Sequence, residues 1–380
     1  MNRPTFFGHR RRGRAFGLAL AGLAAIGQSA CSAPAPASTP PAQSGSAEAV
    51  DGKFRNPDGS PSTASTWRDE MALWWWFAVG AKKEALSPPV PPGHVLPADQ
   101  ALALLAAHAN QDSLTWLGHA AFLIRLHGRT LLVDPFLTDY ASPIGGIGPR
   151  RYAGPGLAVD RLPPIDALVI SHNHYDHLDL RAIRQLPGKN RMKVFVPAGL
   201  GALLRENGFS DVTELKWGDS STLDGLRIIS VPAVHFSSRG VFDKNATHWS
   251  GYVFESPQKR VYFAGDTAYH DTVFKPLRQT LGPIDVALVP IGAYQPRALM
   301  TDVHVDPEEA VQLGRDIGAR VLVGMHWGTV VLSTEPPFEA PQRFRAAGRT
   351  KGYADPSLWV MSIGETRPLA GAAVTAASTR

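Results

Sequence analysis

Ser171-His172-Asn173-His174-Tyr175-Asp176-His177 follows directly on the apolar run Ala167-Leu168-Val169-Ile170. A buried strand that ends in three histidines and a carboxylate brings those side chains toward one small volume. Imidazole together with carboxylate suits zinc, and iron, manganese or nickel accept the same donors. A solvated surface cluster gives no reason for this spacing behind a buried strand, so metal binding is the expectation.

Three later segments repeat the arrangement, each placing one donor just after an apolar strand. They are Ile229-Ser230-Val231-Pro232-Ala233-Val234-His235, Val261-Tyr262-Phe263-Ala264-Gly265-Asp266-Thr267 and Val321-Leu322-Val323-Gly324-Met325-His326-Trp327-Gly328. Singly each is weak, because a lone histidine after a strand is more often structural. Together they complete a donor set of His172, His174, Asp176, His177, His235, Asp266 and His326, enough for two metal sites. Asp134, at the end of a strand in Leu132-Val133-Asp134-Pro135, can support a ligand histidine or simply cap a turn; His119 is open in the same way.

Around these segments the chain alternates short β-branched runs with turns and helices. Strands are expected over 114–117, 121–126, 130–133, 167–170, 193–196, 227–231, 251–255, 260–263, 286–289 and 320–324. Helices are expected near 66–83, 97–107, 197–206 and 272–280, and over 306–317, where Asp306-Pro307-Glu308-Glu309 supplies an N-cap, a first-turn proline and two acids. The pattern implies an α/β fold of two β-sheets covered outside by helices. No internal repeat of fixed period is present. Residues 113–380 read as the main domain and 54–112 as an N-terminal, partly helical extension. Within the extension, Trp74-Trp75-Trp76 suits either lipid contact or packing on the sandwich.

The first thirty residues differ from the rest. Arg3, Arg10, Arg11, Arg12 and Arg14 precede or open a mostly apolar run from Ala15 to Gly27, too short to span a bilayer as a helix. Without this segment the formal charge of +5 falls to zero, which removes any electrostatic footprint for nucleic acid. Residues 1–30 are therefore expected to be an export signal. Cys31, the single cysteine of the chain, follows Gln28-Ser29-Ala30 as a lipidated cysteine does at a bacterial lipoprotein processing site. The expected location is periplasmic or outer-membrane-anchored, with residues 31–53, rich in Pro, Ala, Ser and Gly, as a flexible tether.

The donor pattern resembles the metallo-β-lactamase superfamily, which implies an αββα sandwich with metals at one edge of its sheets. Several segments further resemble the N-acyl-phosphatidylethanolamine-hydrolysing phospholipase D family. These are Thr115-Trp116-Leu117-Gly118-His119-Ala120, Phe263-Ala264-Gly265-Asp266-Thr267, Pro290-Ile291-Gly292-Ala293-Tyr294-Gln295-Pro296-Arg297, His304-Val305-Asp306-Pro307-Glu308-Glu309-Ala310 and His326-Trp327-Gly328-Thr329. The resemblance runs over residues 54–348. It implies two zinc ions, one on His172, His174 and His235 and the other on Asp176, His177 and His326, with Asp266 bridging. It also implies a dinuclear phosphodiesterase acting on a phospholipid, with Asp266 and His304 catalytic and His304 near the phosphate. Tyr294 is expected on the substrate side. The family pattern has Gln where Val303 stands, and a polar and aromatic pair where Gly145-Gly146 stands. Hydrolysis of a lactone or other ester is the enzymatic alternative, and an envelope metal-binding protein the non-enzymatic one.

Overall fold

The apolar run before the histidine cluster has no polar face because both of its faces are covered. Ala167 and Val169 join one hydrophobic core and Leu168 and Ile170 another, following the two-residue alternation of a strand. In the computed structural model, which describes residues 51–57, 86–240 and 242–369, this run becomes a strand inside the first of two seven-stranded sheets.

After helix α1 (Ala98–Ala107), the chain lays down β1 (Ser113–Gly118), β2 (Ala121–Leu126) and β3 (Arg129–Val133) as an antiparallel meander. It then turns parallel through β4 (Ala167–Val169), β5 (Lys193–Pro197) and β6 (Asp211–Leu215), with α2 (Leu180–Arg184) and α3 (Gly201–Glu206) as crossovers. The second sheet begins antiparallel with β7 (Ser220–Leu223), β8 (Leu226–Val231), β9 (Gly251–Glu255) and β10 (Arg260–Phe263). It continues parallel through β11 (Ile284–Pro290), β12 (Ala319–Met325) and β13 (Leu358–Trp359). Helices α4 (Asp271–Leu281), α5 (Arg297–Met300), α6 (Pro307–Asp316) and α7 (Ala340–Thr350) belong to this half, and β14 (Thr366–Pro368) returns to pair with β1.

One core fills the space between the sheets and reaches the helices of the second: Trp116, Phe122, Tyr252, Tyr262, Phe274 and Phe344 all belong to it. The other lies between the first sheet and α1, α2 and α3. This is the expected αββα sandwich. Helix α6 starts as its residues dictate. Asp306 accepts from the Glu309 amide at 2.9 Å, and the Glu309 carboxylate accepts from the Asp306 amide at 3.0 Å.

The residues before β1 share the same body. Leu96 donates to Ile363 O at 2.9 Å, Ala101 and Leu105 are buried in the second core, and Asn56 Oδ1 accepts from the His235 amide at 3.0 Å. The export signal, Cys31, most of the tether, the helix expected near 66–83 and Trp74 to Trp76 lie outside the described residues. Among the described residues, no helix is long and apolar enough to cross a membrane.

Candidate metal centre

Every expected donor follows the C-terminal end of a strand: His172 to His177 after β4, His235 after β8, Asp266 after β10 and His326 after β12. Strands β8 and β10 run the same way, each antiparallel to β9 between them, and β12 is parallel to β10 through β11. Three strand ends of one sheet thus open on the same edge. The β4 end is tied to that sheet by Ser250 N donating to Ser171 O at 2.9 Å and Tyr252 Oη donating to Ile170 O at 3.0 Å. The approach is close enough to require glycine before Asp266. Gly265 has φ +61°, and a Cβ there would lie 2.9 Å from the Ser171 Cβ.

The donors fall into two groups. His172, His174, His235 and Asp266 form one, and Asp176, His177, His326 and His119 the other, with the ligand atoms of each group all within 4.8 Å of one another. Asp266 stands between them. Its Oδ2 is 3.9 Å from His172 Nε2 and 3.8 Å from His235 Nε2 on one side, and 3.1 Å from His177 Nε2 and 3.2 Å from His326 Nε2 on the other. His304 joins Asp266 and His326 in a further cluster.

These side chains are buried, and the contacts among them leave several donor atoms without a hydrogen bond. His177 Nε2, His326 Nε2 and Asp266 Oδ1 have no hydrogen-bond partner among the described residues. Buried polar atoms are nearly always partnered, so imidazole and carboxylate donor atoms clustered this closely and left unpartnered fit metal ions.

Electrostatics point the same way. Burial, joined by repulsion from neighbouring imidazoles, drives the His172 pKa well below 6.5. Burial likewise lowers His174 and His304 to about 4 and His119 to about 3. At His177 burial is outweighed by Asp266, Asp176 and Asp134, so its pKa rises well above 6.5. His326 follows, raised to about 9 by Asp266 and Asp176 against the effect of burial. Asp176 and Asp266, although buried, are held well below the carboxylate range, first by His177. The centre is therefore built around two buried carboxylate charges that need positive charge beside them.

Supporting groups complete the centre. Asp134 accepts from His177 Nδ1 at 2.7 Å, and His235 Nδ1 donates to Val303 O at 2.9 Å. His119, open in the sequence, lies inside the centre, with Nε2 2.9 Å from Asp176 Oδ2. His119 and His326 both have left-handed backbones (φ +56° and +65°), and the His326 amide donates to His119 O at 3.0 Å. Two contributors escaped the sequence. Ser171 Oγ donates to Asp134 Oδ2 at 2.5 Å and lies 2.9 Å from His172 Nδ1. Arg239 Nη1 donates to Asn173 O and Leu178 O at 2.6 and 2.8 Å, clamping the two ends of the histidine loop. Nothing in the sequence beside Arg239 marks it, but Ser171 was visible as the first residue past the strand.

Tyr294, expected on the substrate side, is packed into the fold. It is fully buried, its hydroxyl donates to Glu339 at 2.5 Å and Arg343 lies over its ring.

A buried carboxylate set between two groups of imidazoles, at the strand ends of an αββα sandwich, defines a metal-dependent hydrolase. The β-lactamase superfamily domain matches residues 129–327, and the chain belongs to the metallo-β-lactamase superfamily. It is 40% identical over 238 residues, 60% of this chain and 67% of the relative, to the N-acyl-phosphatidylethanolamine-hydrolyzing phospholipase D 1 of Caenorhabditis elegans. It is 30% identical over 247 residues, 63% of this chain and 53% of the relative, to the mitochondrial N-acyl-phosphatidylethanolamine-hydrolyzing phospholipase D of Saccharomyces cerevisiae. Among solved structures, Igni18, a metallo hydrolase from the archaeon Ignicoccus hospitalis, aligns with a TM-score of 0.51 at 27% identity, over 68% of this chain and 98% of its own.

Proposed function

We propose that this hydrolase holds two divalent ions, zinc in the first instance, and cleaves a phospholipid phosphodiester in the manner of a phospholipase D. N-acyl-phosphatidylethanolamine or a close relative is the substrate. The observation that carries the reading is the placement of Asp266 Oδ2 within 3.1–3.9 Å of a histidine Nε2 from each side of the centre. The two relatives named as phospholipases D support the substrate class.

His172, His174 and His235 would hold one ion and Asp176, His177 and His326 the other, with Asp266 shared. Ions bound there supply Lewis-acid polarisation of a phosphoryl oxygen and a water acidified enough to attack phosphorus. The protein's part is orientation and proton handling. Asp134 fixes His177, and Ser171 passes that hold on to His172. Asp266 Oδ1, buried and unpartnered among the described residues, is the oxygen able to receive a proton as the diester is attacked. His304 lies beside Asp266 and His326 with its Nδ1 buried and, among the described residues, unpartnered, placed to donate to a phosphoryl oxygen. We further propose that the chain is exported and held at the membrane through Cys31.

The deciding experiment is hydrolysis of N-acyl-phosphatidylethanolamine by the purified chain, with metal content measured on the same sample. Release of phosphatidic acid, lost with chelator and restored by zinc, supports the reading. Hydrolysis of a lactone but of no phosphodiester, with metal bound, would overturn the substrate class and leave the hydrolase.

A further inference from the structure

Among the described residues three large apolar side chains stand out in solvent: Ile144, Ile147 and Phe242, 58%, 63% and 93% exposed. Ile144 and Ile147 belong to the loop between β3 and β4, and Phe242 to the loop between β8 and β9. Both loops border one open cavity of about 190 Å³. Ser142 and Pro143 come from the first loop and Arg239 from the second, with Arg181 and Arg184 of α2 and Tyr175 of the histidine loop completing the wall.

The cavity wall is strongly basic. Its three arginines share it with one carboxylate, Asp179, which is already engaged. Asp179 Oδ1 accepts from the Arg181 and Ala182 amides, and Oδ2 from the Leu137 and Thr138 amides and the Thr138 hydroxyl. Lys53 Nζ, donating to Phe242 O at 3.3 Å, adds a cation at the base of the second loop. Asp243 also lies in that loop, where it accepts from the Arg239 and Gly240 amides.

Isolated apolar side chains on the two loops that border a basic recess differ from the flat continuous patch that a protein partner covers. They match the layered chemistry of a membrane surface, in which phosphates lie over an apolar interior. We propose that this face docks on an anionic phospholipid bilayer. Ile144, Ile147 and Phe242 enter the interface, and Arg181 and Arg184 meet lipid phosphates, while Arg239 lines the recess and holds the histidine loop. Tyr175 is the neighbour of the donor Asp176, so docking brings the edge of the metal centre to the bilayer. This adds a second membrane contact to the phospholipase reading, independent of Cys31, and its test does not depend on which lipid is cleaved.

The test places a local reporter on the full chain carrying C31S. A single cysteine is introduced as I144C, I147C or F242C, or as R345C on α7 for a control, and labelled with an environment-sensitive fluorophore. Vesicles of phosphatidylcholine with phosphatidylglycerol are compared with phosphatidylcholine alone. The expected result is a blue shift at 144, 147 and 242, and none at 345, requiring at least about tenfold less total lipid when phosphatidylglycerol is present. Because the signal arises at the labelled residue, attachment through the N-terminal segment cannot produce it. Emission unchanged at 144 and 242 on vesicle-bound protein overturns the proposal. So does a shift without vesicles that grows with protein concentration, which identifies a second copy as the occupant. Hydrolysis of a soluble diester by I144S/I147S/F242S, assayed alongside, separates loss of docking from failure of the phosphodiesterase reading.

Discussion

His177 Nδ1 donates to Asp134 Oδ2 at 2.7 Å, and the same oxygen accepts the Ser171 hydroxyl at 2.5 Å. Asp134 is fully buried and has a left-handed backbone, φ +40°, so it is held where few residues would settle. Through Ser171 it also reaches His172, and one carboxylate thereby steadies a donor from each group. Asp134→Asn keeps the shape and removes the charge. Metal affinity should fall about 10- to 100-fold, the usual cost of losing a partner behind a ligand histidine. Competition of the variant against a chromophoric chelator measures this directly; wild-type affinity would show that Asp134 only caps its turn.

Among the described residues, Asp266 is the one carboxylate with ion-pair contacts within 4 Å to imidazole nitrogens of both groups. Asp266→Ala should therefore lower metal retention in both and reduce diester turnover to near background. Metal analysis after dialysis, paired with a turnover assay, checks it. Substantial turnover in this variant would end the proposed chemistry.

The candidate donors were largely legible before the fold was known, because each stands just past a short apolar, often β-branched run that reads as a buried strand. What stayed hidden depended on tertiary position. His119 and Asp134 also follow strands, but their direction toward the centre depends on backbone φ values of +56° and +40° that composition does not reveal. The partner of Tyr294 was equally hidden, because Glu339, which takes its hydroxyl, lies 45 residues later in the chain. Short strands β13 and β14 and polar β6 and β7 carry too little periodicity to read. Helix α7 escaped for a related reason. It buries only Ala340, Phe344 and Gly348, a stripe of mostly small residues in an otherwise polar run.

Arg297 holds His304 by the main chain. Its Nη1 donates to His304 O at 3.1 Å, while Nη2 is bound to both Glu309 oxygens at 3.0 and 2.8 Å. Lysine keeps the charge and loses the fork, so Arg297→Lys should loosen His304 without disturbing the metal donors. We expect kcat/KM to fall about tenfold, roughly 1.4 kcal/mol, at unchanged metal content. Arg297→Lys added to His304→Ala should cost little more than His304→Ala alone. Full additivity in that cycle would show that Arg297 acts elsewhere.

Gly292 marks the tightest packing in the centre. A Cβ there would lie 2.0 Å from His326 O and 3.2 Å from the Trp327 Cα, both backbone atoms with little room to move. Gly292→Ala should displace the His326 loop, cost about 1–3 kcal/mol and weaken metal binding more than an exposed substitution does. Thermal unfolding with and without added zinc reads both effects. An unchanged Tm with full metal binding would mean that the loop yields freely.

His248 supplies a pH dependence separate from the metal donors. It is fully buried, with the rings of Trp217 and Phe54 set steeply against it at centroid distances of 4.2 and 4.6 Å. Burial lowers its pKa to about 3, against the opposing effect of a hydrogen bond to the Trp249 backbone. An unfolded histidine titrates near 6.5, so between about pH 6.5 and 3 the unfolded chain binds a proton that the folded chain refuses. Stability must fall as pH drops through that window, by about 1.4 kcal/mol per unit at most, and must be indifferent to this group above it. His248→Phe removes the linkage while keeping a ring of similar shape. The fall in denaturation midpoint from pH 7.5 to 5 should be smaller in the variant by the equivalent of about 2 kcal/mol, whatever its stability at neutral pH. Equal falls would mean that His248 already gains a proton in the folded chain near pH 5, which requires water to reach its Nε2, buried and without a hydrogen-bond partner among the described residues.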